Sequence, residues 1–125
     1  MRRMVLRSTM VGLMGLGFAA SLAPASAADV EHGKLLYQAC AACHNERPDA
    51  LGPNLKGVLG RKSAAREDFR YSGPMMRANL VWDEANLKAY IGDPQAKVNG
   101  NRMPYGGVTN AGDVDDIIAY LKTMQ

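Results

Sequence analysis

The stretch QACAACHNERPDALGPNL, residues 38–55, carries both cysteines of the chain and one of its two histidines, all three within five positions. The fold turns on what Cys40, Cys43 and His44 do together, and the compartment narrows the choice. Arg2, Arg3 and Arg7 lead into the apolar run MVGLMGLGFAASLA and then into PASAAD, with small residues before a cleavage position. That order marks a secretory signal peptide. The cut is placed after Ala27, so residues 1–27 are the signal and residues 28–125 the mature chain. The apolar run meets Pro24 and polar residues too soon for a convincing membrane span; a retained anchor is the alternative. An exported chain with two cysteines ordinarily forms one disulfide. A bridge between Cys40 and Cys43 would close a very small loop, remove little unfolded-state entropy and make a poor staple.

Charge excludes several partner classes. The full chain has 15 Lys and Arg against 12 Asp and Glu. Three of the basic residues lie in the signal, which leaves a mature chain balanced at 12 and 12. The basic excess therefore belongs to the precursor and is no footprint for nucleic acid or a membrane surface. With no internal repeats and no linker, residues 28–125 read as one domain. A domain of that size has a thin core, which a bound organic group at its centre would make easier to stabilise.

Three segments have helical character. The first follows Asp29, a plausible N-cap, through VEHGKLLYQAC, with Gly33 and Tyr37 one turn apart on one face. The second is DEANLKAYIGD, with Leu87, Tyr90 and Ile91 on one face and Pro94 beyond its end. The third is DVDDIIAYLKTMQ, where Val114, Ile117, Ile118 and Leu121 follow the helical template and Asp113, Asp115 and Asp116 are placed in the first turn. Between them lie the Gly- and Pro-rich connections GPNLKGVLG, SGPMM and VNGNRMPYGG, without an alternating strand pattern. The expected class is all-α with long loops, and loops that long in a compact domain need something to wrap around.

That requirement bears on the cysteines. A zinc site needs three or four ligands, and the only other imidazole is His32, which reads as a surface residue. A thioredoxin-like dithiol opens a helix after a strand, whereas this pair follows a helix. CAACH instead suits covalent haem attachment. Two thiols three residues apart on one turn can reach both vinyl groups of a porphyrin, and the next residue, His44, then sits under the iron. The candidate for the opposite axial position is Met103, in NRMPYGG. Met75, Met76 and Met124 can be gap-fillers; only Met103 stands between turn-forming residues that could hold a thioether against a metal.

With these residues in order, the chain resembles a class I cytochrome c of the mitochondrial-like, bacterial periplasmic type. The likeness runs through CAACH, GPNLKGVLGRK, WDEANLKAYIGDP, NRMPYGG and DIIAYLK. It implies helices and long loops wrapped around one haem c, held by thioethers from Cys40 and Cys43 with His44 and Met103 as axial ligands. It further implies that Pro53 offers its carbonyl to the His44 ring, that Arg61, Tyr71 and Trp82 donate to the haem propionates, and that Tyr90 packs beside the ligating sulfur. Gly33, Tyr37 and Tyr120 match the close crossing of first and last helices.

The implied activity is electron transfer in the periplasm, between a dehydrogenase or membrane cytochrome complex and an acceptor such as a terminal oxidase. The carrier would be a monomer and not an enzyme, docking transiently on redox proteins. Some positions depart from the family. Asn101 stands where a propionate-contacting Thr is frequent, and Asn99 where Pro is common, which suggests a looser Met103 loop. SGPMMRAN is longer than its counterpart, so Asn79 receives no role. Most lysines of the mitochondrial docking ring are replaced, by Ala39, Gln95, Ala96, Thr109 and Asn110, leaving Arg102 and Arg47 as minor steering charges.

Overall fold

The computed structural model describes residues 26–125, so the expected signal peptide lies almost wholly outside the described residues. Five helices follow in order: α1 (Val30–Ala41), α2 (Gly73–Arg77), α3 (Glu84–Gly92), α4 (Pro94–Lys97) and α5 (Ala111–Leu121). Among the described residues there is no strand, only an isolated antiparallel bridge between Lys62 and Val81. The all-α expectation holds. No helix among the described residues is long and apolar enough to cross a membrane.

Each helix starts where a short polar side chain can take up its first free N–H groups. Asp29 accepts from the amides of Glu31 and His32. Asp83 caps α3 through the Asn86 amide at 2.8 Å, and Asn110 caps α5 through the Asp113 amide at 3.1 Å. The same chemistry explains two helices that the sequence reading left as connections. Ser72 accepts from the Met75 amide and Asp93 from the Ala96 amide, with Pro74 and Pro94 in the first turns, where a missing N–H costs nothing. Asn79 follows α2 with φ of 50°, a left-handed turn that asparagine tolerates better than most residues. The last helix also differs from expectation. It begins at Ala111, so of the three aspartates only Asp113 lies in its first turn.

The frame is the crossing of α1 and α5. An added Cβ at Gly33 would stand 1.9 Å from the backbone oxygen of Asp116, so the two backbones approach as only glycine permits. Four residues further along α1, Tyr37 meets Tyr120 with ring centroids 5.1 Å apart. α5 buries Val114, Ile117, Ile118 and Leu121 on one stripe, as its periodicity predicts. α3 adds Leu87 to this core and is tied to α5 at the surface by Lys122–Glu84 and Lys88–Asp115 pairs, each 2.8 Å. Half-exposed pairs of this kind fix register more than they add stability.

His32 is exposed, as read from the sequence, but it has a partner. Its Nδ1 lies 2.8 Å from Oδ2 of Asp116, whose other oxygen accepts the Asp29 amide at 2.6 Å. The bond to Asp116 raises the His32 pKa above its ordinary 6.5, helped by the charges of Asp116, Asp113 and Asp29 and opposed by slight desolvation. The same bond, with the Asp29 amide, holds Asp116 below its ordinary 3.8. The stabilisation from His32 is complete below pH 6.5 and fades as pH rises through the raised value. The part from Asp116 is present above 3.8 and fades as pH falls through the depressed value. A His32→Gln variant should therefore melt below the wild type at pH 5 and converge on it by pH 9. A gap in Tm that stays constant across that range would rule out the ion pair as its cause.

Candidate functional site

α1 delivers the two cysteines to the interior. The helix continues as a turn beyond Ala41, with the amides of Cys43 and His44 both reaching the Cys40 carbonyl, at 3.1 and 2.9 Å. Cys40, Cys43 and His44 thus sit on one wall of a cavity of about 680 Å³. Cys40 and Cys43 are not joined in a disulfide, and both are half-buried. His32, on the outer side of the helix crossing, is not brought to them, which removes the set of ligands that zinc would need.

The loop after His44 returns to support its ring. Gly52 donates to the Cys43 carbonyl at 3.0 Å, and an added Cβ there would stand only 2.5 Å from the imidazole. The next residue, Pro53, accepts a bond from His44 Nδ1 at 2.7 Å. Burial lowers the His44 pKa, partly offset by the Pro53 bond, and the Arg61 charge lowers it further. The ring is therefore neutral at pH 7, with its proton on Nδ1 and the Nε2 lone pair available, as an imidazole metal ligand requires.

All nine residues singled out in the sequence line this cavity: Cys40, Cys43, His44, Pro53, Arg61, Tyr71, Trp82, Tyr90 and Met103. The Lys62–Val81 bridge has a clear local purpose. It sets Arg61 beside Trp82, whose amide donates to the Arg61 carbonyl at 2.8 Å. The Arg61 guanidinium is steadied by the carbonyls of Lys56 and Asn54 at 3.2 and 3.0 Å. Trp82 in turn packs on Tyr90, centroids 5.1 Å apart, and burial pushes the Tyr90 hydroxyl up to about 12. Tyr90 therefore keeps its proton at any physiological pH and can only be a neutral hydrogen-bonding group. Leu55, Val58, Ile91, Ile117 and Leu121 supply much of the apolar lining. A flat, largely apolar group bearing acidic substituents fits a chamber built this way: two cysteines and a neutral imidazole from one turn, with the Arg61 cation and the Tyr71 and Tyr90 hydroxyls also in the lining.

Residues 30–125 match the cytochrome c family, nearly the whole of the described chain. The chain belongs to that family. It is 39% identical to cytochrome c2 of Blastochloris viridis over 94% of its length and 93% of the relative's. Cytochrome c2 of Rhodoblastus acidophilus is 44% identical over 76% of this chain and 92% of the relative. Among solved structures, cytochrome cH from Methylobacterium extorquens superposes with a TM-score of 0.72 at 41% identity, covering 76% of this chain and 98% of that one. Membership makes the chain a class I electron-transfer cytochrome working with redox partners, and its Cys40–Cys43–His44 arrangement carries one covalently bound haem c.

Two structural residues of the site escaped the sequence reading and a third was given a different role. Gly52 and Gly107 are required by close approach; a Cβ at Gly107, where φ is +99°, would lie 2.2 Å from the Gly92 carbonyl oxygen. Asn101 is the third. It was expected to loosen the Met103 loop, yet its buried side chain bonds three backbone groups, including the Met103 amide at 2.8 Å. An i to i+2 bond from an Asn side chain is a known turn former and was the available signal. Two of the residues expected in place of docking lysines have structural duties: Asn110 caps α5, and Gln95 bonds both the Gly100 amide and the Asn101 carbonyl.

Proposed function

We propose that the mature chain, residues 28–125 after cleavage at Ala27, is a monomeric periplasmic electron carrier with His44 and Met103 as axial ligands. The observation that carries this reading is that both donors line one cavity, each on a backbone amide held by a hydrogen bond, His44 to the Cys40 carbonyl and Met103 to the Asn101 side chain. Haem c supplies one-electron exchange between ferric and ferrous iron. The chain supplies the rest. Pro53 keeps the His44 tautomer fixed and the apolar lining excludes water. Arg61, Tyr71 and Trp82 would donate to the propionates, and Tyr90 would pack beside the Met103 sulfur. With His44 and Met103 both holding the iron, no open position would remain for a substrate, which supports a carrier over an enzyme. A thioether ligand and a dry pocket favour the reduced state.

Docking on its redox partners is transient and weakly steered. Arg47 is already matched by Asp49 at 2.9 Å, and the Arg102 guanidinium is turned onto the Arg70 carbonyl. Contact then rests on residues such as Ala39, Tyr105 and Val108, in the small interface usual for electron transfer. The absorption spectrum of the holo-protein tests the reading. A stable low-spin, six-coordinate spectrum that becomes high-spin in Met103→Ala is expected. A high-spin wild type would favour the rival reading, a haem enzyme or gas sensor with an open iron.

A further inference from the structure

We infer that Asn101 is a positioning residue: it clasps the Met103 loop to α4 and so sets how readily an outside ligand replaces Met103 on the iron. The inference rests on reading Met103 as an axial ligand. Asn101 is 8% exposed, and its side chain satisfies three backbone groups at once. Nδ2 donates to the carbonyls of Pro94 and Val98, both at 2.9 Å, and Oδ1 accepts from the Met103 amide at 2.8 Å. Gln95 closes the clasp from outside. Its Nε2 donates to the Asn101 carbonyl and its Oε1 accepts from the Gly100 amide, each at 3.0 Å.

The far end of the loop is pinned independently. Val108 donates to the Ile91 carbonyl at 2.9 Å, and Gly107 lies too close to Gly92 to allow a side chain. The Met103 carbonyl accepts from the Tyr105 amide at 2.9 Å, so the segment from Met103 to Tyr105 is a tight turn that moves as a unit. For Met103 to leave the iron, this turn must swing about one of its two attachments. At the Gly107 end the contact is backbone on backbone and cannot give without parting α3 from the loop. At the Asn101 end the attachment is hydrogen bonds alone: three of the Asn101 side-chain amide, two of Gln95 and one from the Asn101 backbone N–H to the Val98 carbonyl at 3.2 Å. Breaking those of the Asn101 side chain strands two buried carbonyls and a part-buried N–H, and that penalty opposes opening.

The test is an imidazole titration of the ferric holo-protein at pH 7, followed by absorbance, with Met103→Ala defining affinity for an open iron. Asn101→Ala is expected to bind imidazole about tenfold more tightly than the wild type, the size of effect that a lost buried hydrogen-bond set produces. Gln95→Ala alters an exposed side chain, keeps the core intact and should tighten binding a few-fold. A role in overall stability alone would lower Tm in these variants and leave imidazole affinity where it was. Unchanged affinity in Asn101→Ala overturns the inference, as does unchanged affinity in Gln95→Ala if Asn101→Ala fails to fold. A wild type that already binds imidazole as tightly as Met103→Ala fails differently: it removes Met103 as a ligand, whatever Asn101 does.

Discussion

Replacing Cys40 and Cys43 together with alanine is expected to abolish haem retention and, with it, the native fold. The cavity they line is about 680 Å³, against a core of ten buried hydrophobic side chains among the described residues. Empty apolar space costs about 24 cal/mol per Å³ when surrounding side chains cannot collapse into it. Even if two thirds of the chamber closed up or admitted water, the remainder would cost about 5 kcal/mol. That equals the lower end of the total stability of a small domain, about 5–15 kcal/mol. Wild-type haem should stay with the protein through acid and organic extraction, while the double variant should lose it and show little helical circular dichroism. Native-like helicity in the haem-free variant would mean that the helices and loops hold the chamber open unaided.

The second large effect is expected from a single methyl group. Helix propensity alone says that Gly33→Ala should stabilise α1 by about 1 kcal/mol. The crossing with α5 says the opposite, because the new Cβ would meet the Asp116 backbone at 1.9 Å, and a backbone oxygen cannot rotate aside. The helices must part, separating Tyr37 from Tyr120 and lifting the α5 stripe from its seat. Overpacking of this kind costs about 3 kcal/mol, a fall in Tm of about 12 °C or more for a domain of this length. The sign of the change decides between the two effects. A Gly33→Ala holo-protein that melts at or above the wild-type temperature would show that the two helices have room to spare.

The site was more legible in the sequence than the path of the backbone around it. CAACH declares its chemistry because covalent attachment demands two thiols and an imidazole at fixed spacing. Met103 could be separated from the other methionines by its turn-forming neighbours. α5 was legible because its apolar stripe faces one partner, although its start was displaced two residues by the Asn110 cap. Less could be seen where one residue serves two elements. Asp93 ends α3 and caps α4, so a single run reads as a helix followed by a breaker when it is two helices sharing a residue. Asn101 was misjudged for a related reason. Its side chain answers to backbone carbonyls seven and three residues earlier, a demand that exists only once α4 has formed.

The crossing of α1 and α5 also has a consequence for the order of events. It joins positions 87 residues apart, Asp29 to Asp116, so almost the whole described chain must exist before the frame can close. A chain made from its N-terminus presents the two thiols early and the partner of their helix last. In that interval Cys40 and Cys43 lie on an unpaired segment, open to chemistry that the finished, half-buried site would obstruct. The length of the wait adds little thermodynamic cost, since doubling a loop adds only about 0.6 kcal/mol to its closure. Placing the attachment motif beside the first helix and its lock in the last lets covalent loading precede folding.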